Sequence, residues 1–445
     1  MSESARIEAS VQRKRMLRII PYVFLLYIIA YLDRVNVGFA ALEMNKELGF
    51  DPAVFGLGSG IFFFGYFILE IPSTVMVERW SARRWIARIL VTWGIVAILM
   101  AFIRTPWQFY LVRFVLGLAE AGFFPGIILY LTHWFRQEEQ ARAVALFMSA
   151  LAVSNIVGAP VSGYILQHVH WLGLAGWQWV YILEGLPAVV LGFLNIWLMA
   201  DRPAEARWLT DQEKRWLQGE LDREAAAVRQ RHQLTLWQGL LRWDTWRLAL
   251  IYFFWITGFY GFGIWLPTIL KHITTSQNDL LVGLLTAAAY IPALVAMILA
   301  GRHSDRTGER KFHLFTAIVA GAAALLVSAL AGGQVVLAFA FFTLAAIGIY
   351  SAFGPFWSLP STFLTDDARA AGIGLVNSVG NLGGFVGPFA VGYLNKATGQ
   401  FMSGLLFLIA SLLVAGLLVL TLRQQTPGLV AEPPVGGAPG AGQEV

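Results

Sequence analysis

The chain has 445 residues, 57% of them hydrophobic and 13% charged, with a formal net charge of +5. Soluble proteins average about 45–50% apolar and about 25% charged residues, so a soluble enzyme and a nucleic-acid binder are both excluded, the basic balance notwithstanding. With no cysteine in the chain, disulfides, thiolate catalysis and Cys-ligated metals are excluded as well.

In chain order, residues 1–20 read as a basic N-terminal arm. The apolar run that follows has no small-residue cleavage site and continues at full length, so it reads as a first membrane helix rather than a removable leader. Apolar windows of about 20 residues place six spans at 21–40, 55–77, 84–104, 107–131, 143–165 and 177–199. Six more fall at 248–270, 281–300, 312–331, 335–362, 370–394 and 401–422. No Lys, Arg, Asp or Glu interrupts residues 312–365 or 370–395. The runs are continuous rather than alternating, which argues against a β-barrel. The expected fold class is therefore an all-α membrane protein with twelve transmembrane helices. A six-helix bundle occupies 21–199, a linker 200–247 and a second bundle 248–422. In the linker, Asp201-Arg202-Pro203 closes the sixth span, and Thr210-Asp211-Gln212-Glu213 has the form of a capping box opening an amphipathic helix. The Pro/Gly-rich stretch 423–445 is expected to be a disordered tail.

The positive-inside rule gives an orientation. With a cytoplasmic N-terminus, the inner segments hold 26 of the 32 Lys and Arg, and the outer ones hold four: Lys46, Arg104, Lys271 and Lys396. The other two, Arg34 and Arg113, lie within spans. This predicts cytoplasmic N- and C-termini and an even number of spans.

Two loops match across the linker. Glu78-Arg79-Trp80-Ser81-Ala82-Arg83-Arg84 and Asp305-Arg306-Thr307-Gly308-Glu309-Arg310-Lys311 share an acid-Arg-x-small-x-basic-basic pattern, offset by 227 positions. Gly158-Ala159-Pro160 and Gly163-Tyr164 likewise return as Gly387-Pro388 and Gly392-Tyr393. A shared offset implies duplicated halves, with a substrate site at their interface near the bilayer midplane. On these residues the chain resembles the major facilitator superfamily, whose best-known signature is the Asp-Arg-x-Gly-x-Arg-Lys loop. Tyr31-Leu32-Asp33-Arg34-Val35-Asn36, Glu70-Ile71-Pro72-Ser73, Ala82-Arg83-Arg84-Trp85-Ile86-Ala87-Arg88, Arg113 and Glu120-Ala121-Gly122-Phe123-Phe124-Pro125-Gly126 resemble the anion:cation symporter family, in particular its tartrate-transporter-like branch. The first loop departs from the superfamily pattern, with Glu for Asp and Ser for Gly. The resemblance implies two pseudo-symmetric six-helix bundles in a bacterial inner membrane, working as a monomer.

Ionised groups at the bilayer centre cost about 2.5–3.5 kcal/mol on insertion scales. Six lie within the spans: Asp33, Arg34, Glu70, Arg113, Glu120 and Glu184. Their counterparts at the 227 offset are Tyr260, Gly261, Met297, Ala340, Ile347 and Ser411, none of them charged. A requirement shared by both halves therefore does not explain them. Arg113 and Glu120, two turns apart, share a helix face. They read either as an arginine for a substrate carboxylate with a proton-carrying acid, or as parts of structural ion pairs. Asp33 and Glu120 are the expected proton carriers, and the resemblance assigns them the same role. The alternative for Asp33 is a structural partner of Arg34 or of the cytoplasmic gate. Glu70 and Glu184 lie close before prolines and read as structural or gating, as do the loop residues Glu78, Arg79, Asp305, Arg306 and Arg310.

Asn377, Ser378 and Asn381 are candidates for substrate hydroxyls or for hydrogen bonds between helices. Resemblance to sugar-acid:proton symporters implies a ligand shell of Tyr31, Tyr66, Arg34, Arg113, Trp357 and Asn377, and Asn155 is a weaker candidate. The seven histidines form no metal site, and Gly56-Leu57-Gly58-Ser59-Gly60 lacks the lysine and strand of a phosphate loop. With no ATPase motif and no cofactor, transport energy must come from a gradient, and protons are the expected ion. The expected function is proton-coupled import of a small organic anion, a hydroxylated dicarboxylate such as tartrate, with sugar-acid or aromatic-acid symport as the alternative and an antiporter or exporter behind it.

Overall fold

The computed structural model describes residues 3–231, 243–331, 334–359 and 366–422. The expected tail at 423–445 and residues 232–242 of the linker lie outside the described residues. Eleven helices among those described are long and apolar enough to cross a membrane. The twelfth crossing, the eleventh span, is a pair of helices, Asp366–Asn381 and Gly383–Thr398, meeting at Leu382. Neither piece alone has the length of a span.

Local sequence fixes where the spans begin and break. The second span, Pro52–Arg79, starts with proline behind an Asp51 cap whose carboxylate accepts from the Val54 amide. The fourth starts at Pro106 behind a Thr105–Gln108 capping box and runs to Glu120. There it breaks. Gly122 takes φ +83°, a left-handed conformation that favours glycine, and the span resumes as Phe123–Thr132. A Cβ at Gly122 would also collide with Ser73 of the second span. Glu120 is thus the last residue of a helix segment in mid-span.

The two halves repeat each other's packing. The third span (Ala82–Leu99) lies along the sixth (Gly176–Leu198), as the ninth (Lys311–Leu330) lies along the twelfth (Phe401–Leu420). The second packs on the fourth as the eighth (Asp279–Thr307) packs on the tenth (Val335–Ser351 and Phe353–Ser358). The halves meet along two seams. In one, the fifth span (Gln137–Met148 and Ala150–His168) lies on the eighth; in the other, the second lies on the eleventh. The first span (Ile20–Leu48) meets the seventh (Trp243–Thr274) between them.

Call the side bearing the linker the linker side, and the other the far side. Toward the far side both seams close to backbone contact. A Cβ at Gly392 would stand 2.2 Å from the Pro52 carbonyl oxygen, and one at Gly283 would stand 2.3 Å from that of Ala159. Ion and hydrogen-bond pairs cap the seams there: Lys396 to Asp51 at 2.8 Å, and the Asp279 amide to Gln167 at 2.9 Å.

On the linker side, the arm forms a helix, Glu3–Arg18. It clasps the first half and the linker helix Asp211–Arg231. Arg15, wholly buried, grips both carboxylate oxygens of Glu139 at 3.0 Å and donates to the Trp134 carbonyl. Lys14 and Ser10 converge on Glu213 at 2.7–2.8 Å, which also caps the linker helix by accepting from the Thr210 amide. Burial pushes the Glu213 carboxyl up, but the Lys14 ammonium, the Thr210 amide and the Ser10 hydroxyl outweigh it and hold the group at about 2.

Candidate substrate and proton site

Arg34 sits fourteen residues into the first span, about 21 Å from its linker-side end at 1.5 Å per residue. There it faces the line where the halves meet. Its Nε donates to Glu120 Oε1 at 2.6 Å, and its Nη2 lies 2.6 Å from the same oxygen. Its Nη1 donates to the Tyr260 hydroxyl of the other half at 3.3 Å. The guanidinium lies 4.8 Å from the Tyr66 ring centroid and 5.7 Å from that of Phe62, contacts that favour a cation. The pair is buried, yet its bonding capacity is not spent. Glu120 Oε2 and the Tyr66 hydroxyl have no hydrogen-bond partner. Removing one partner from a buried ion pair costs about 3–5 kcal/mol, because the other charge is left alone. Such a pair parts readily only when another charge or a proton takes the vacated role.

Arg34 and Tyr66 line a narrow cleft between the halves, along with Tyr27, Tyr252, Tyr260, Asn377 and Asn381. Its volume is about 20 Å³, room for a water molecule, which needs roughly 10–15 Å³ of such space, and for little more. An organic acid therefore enters only after the halves move apart. Next to the cleft, Asn377 and Ser378 of the eleventh span both donate to Glu70 of the second, at 2.5 and 2.9 Å. This joins the halves at a level nearer the linker side.

The remaining intramembrane charges lie deeper in the first half. Arg113 is wholly buried and donates to the carbonyls of Gly58 (3.3 Å) and Ser59 (3.1 Å). Its guanidinium lies 4.9 Å from the Phe62 ring centroid, so Phe62 stands between the two arginines. The two arginines of the implied ligand shell are thus placed differently: Arg34 lines the cleft, whereas Arg113 is turned onto backbone carbonyls. Asp33 points away from Arg34 and accepts from Trp93 Nε1 at 2.5 Å and Asn36 Nδ2 at 3.0 Å, so it is not the arginine's structural partner. Glu184 accepts from Ser162 at 2.6 Å, and its other oxygen has no partner.

Tyr31 packs edge-on against Tyr27, which lines the cleft one turn away. Trp357 leans on Tyr252 at 5.1 Å with its indole N–H unpaired. Asn155 donates to the Tyr350 hydroxyl across the halves at 3.0 Å. In the loops, Glu78 meets His133 at 2.9 Å and Arg202 at 3.7 Å, while Arg310 pairs with Asp305 of its own loop. Arg79 and Arg306 make no ion pair among the described residues. Tyr27, Tyr252 and Tyr260 were not foreseen as site residues. One signal pointed to Tyr260: it is the repeat counterpart of Asp33.

A family model described as Major Facilitator Superfamily matches residues 23–388 and 248–441. The chain belongs to the major facilitator superfamily. A "Putative tartrate transporter" of Agrobacterium vitis is 46% identical over 424 residues, covering 95% of this chain and 94% of the relative. A "Quinolone resistance transporter" of Acinetobacter baumannii is 37% identical, covering 90% and 92%. The solved xylose transporter XylE from E. coli, in a partially occluded inward-open conformation, superposes with a TM-score of 0.72 at 14% identity, covering 93% of this chain and 99% of that one. At that identity the likeness concerns the fold alone. Within the superfamily the chain falls in the tartrate-transporter-like branch. It is a multi-pass membrane transporter of a small molecule.

Proposed function

We propose that this transporter is a monomeric proton-coupled symporter that imports a small organic anion, a hydroxylated dicarboxylate such as tartrate, by alternating access. The observation that carries the reading is the Arg34–Glu120 pair, whose arginine faces the cleft and whose carboxylate keeps one oxygen, Oε2, without a hydrogen-bond partner. Arg34 needs one anionic partner. Either ionised Glu120 fills that place, or a substrate carboxylate does while Glu120 holds a proton. Binding the anion and taking up the proton are then two sides of one exchange, and neither leaves a lone charge in a medium of low dielectric. Asp33, next to Arg34 on the first span, is the second proton carrier. Arg113 acts behind Phe62, setting the face that Arg34 presents. Asn381 meets the substrate hydroxyls, as do Asn377 and Ser378 once Glu70 releases them. The distribution of Lys and Arg supports an inner-membrane orientation with the linker in the cytoplasm, so the zipped far side faces outward and the arrangement is closed to the outside.

The aromatic walls of the cleft favour a second reading, an aromatic carboxylate as cargo. Proteoliposomes carrying labelled tartrate, with an aromatic acid as competitor, separate the two. Under an imposed pH gradient the wild type accumulates its substrate. Glu120→Gln should lose the accumulation yet still exchange substrate for substrate, and Arg34→Ala should lose both. Gradient-driven accumulation by Glu120→Gln at the wild-type level overturns the coupling.

A further inference from the structure

A cavity of about 510 Å³ opens on the far side, where the first and seventh spans meet. It is far larger than the central cleft and shares no lining residue with it. Both halves build it. Phe50, Trp265 and Phe401 supply aromatic walls, with Trp265 and Phe401 edge to face at 5.6 Å. Lys46, Lys271 and His272 supply the basic groups, and no Asp or Glu is among the lining residues. Lys271 is engaged by Asp279 at 2.6 Å. Lys46 makes no ion pair among the described residues and is exposed at the rim. Two buried polar atoms of the wall, Thr268 Oγ1 and Asn45 Oδ1, have no hydrogen-bond partner.

An apolar ring box beside one unspent cation, Lys46, an imidazole and an unpartnered hydroxyl has the chemistry of an amphiphilic anion site. A hydroxylated dicarboxylate offers little surface to aromatic walls, whereas an aromatic carboxylate offers a ring for them and one charge for the rim. We propose that this cavity is a second ligand site, binding an aromatic carboxylate with its ring among Phe50, Trp265 and Phe401 and its charged head at Lys46, His272 and the Thr268 hydroxyl. Because the walls come from both halves at their closed end, the ligand favours the far-side-closed arrangement. A ligand shifts an equilibrium by its difference in affinity for the two states. The acid therefore inhibits transport without competing for Arg34.

The test is equilibrium binding of radiolabelled benzoate to the purified full chain in phosphatidylcholine nanodiscs. This reads occupancy without transport, so its failure leaves the proposed function standing. One saturable site is expected. Lys46→Ala and His272→Ala should each weaken it about fivefold or more, while Gly301→Ala, whose added Cβ meets nothing within 4 Å, leaves it unchanged. Lys46 is exposed, so its truncation spares the fold, and an unchanged thermal midpoint confirms this. Absence of saturable binding overturns the proposal, as does binding insensitive to Lys46→Ala. Binding lost with Arg34→Ala and kept with Lys46→Ala overturns it too, by placing the acid in the central cleft. Loss of binding in phosphatidylglycerol nanodiscs alone assigns the cavity to a lipid headgroup instead and also overturns it.

Discussion

Replacing Gly392 with alanine should push the transporter out of its far-side-closed arrangement. The new Cβ would stand 2.2 Å from the Pro52 carbonyl oxygen and 3.0 Å from Gly56 Cα, where ordinary contact begins at 3.4 Å. Both obstacles are backbone, so no side-chain rotation relieves them, and the second and eleventh spans must part by about 1 Å. Overpacking of this kind costs about 1–3 kcal/mol, which shifts a two-state equilibrium about 5–150-fold. Since the chain has no native cysteine, spin labels on Ala53→Cys and Lys396→Cys report the seam directly by pulsed electron resonance. Gly392→Ala should raise the long-distance population and lower uptake. Gly301→Ala is the control, because a Cβ there meets nothing within 4 Å. An unchanged distance distribution with unchanged uptake would refute the idea that the halves separate along this seam.

Glu70→Ala removes the acceptor for both Asn377 and Ser378, weakening the cleft's closure by about 1–3 kcal/mol. A maleimide should then label a cysteine placed at Asn381 faster, and an unchanged rate would count against a latch at Glu70. The docked arm should respond to acid. Glu213 titrates at about 2 when folded, against an ordinary 4.5. Its ionised form is therefore favoured by docking, and that contribution is complete above about 4.5 and lost as the pH falls through about 2. Lys14→Ala should move the loss upward toward 4.5. The mobility of a spin label at Arg13 measures it, and a pH response indifferent to Lys14 would sink the assignment.

Hydrocarbon leaves a chain few options, which is why the spans were legible. Every backbone polar group must be paired within the segment, so apolar runs of the right length become helices whatever their detail. The breaks were harder to read. Gly122 lies in an apolar run that gives no sign of a left-handed residue, since packing against Ser73 selects it. The eleventh span's join at Leu382 carries no proline or charge. Side-chain partnerships across helices were the least legible. The wheel puts Arg113 and Glu120 on one face of their own helix but is silent on what faces them. Glu120 meets Arg34 of the first span, Arg113 meets carbonyls of the second, and Asp33 meets Trp93 of the third. Only the tertiary arrangement contains that information. The duplication held one usable hint: position 33 maps onto Tyr260, and it is Tyr260 that reaches Arg34 from the opposite half.

The arm helix has a consequence for how the molecule is made. Translation delivers Lys14 and Arg15 first, but Glu139 comes more than a hundred residues later and Glu213 some two hundred later. During synthesis the leading segment has no acidic clasp to close on until the fifth span and the linker have followed it out of the ribosome. Its docking thus waits on the first bundle, and a chain stalled before the fifth span would leave a loose basic helix at the membrane surface for quality control to find.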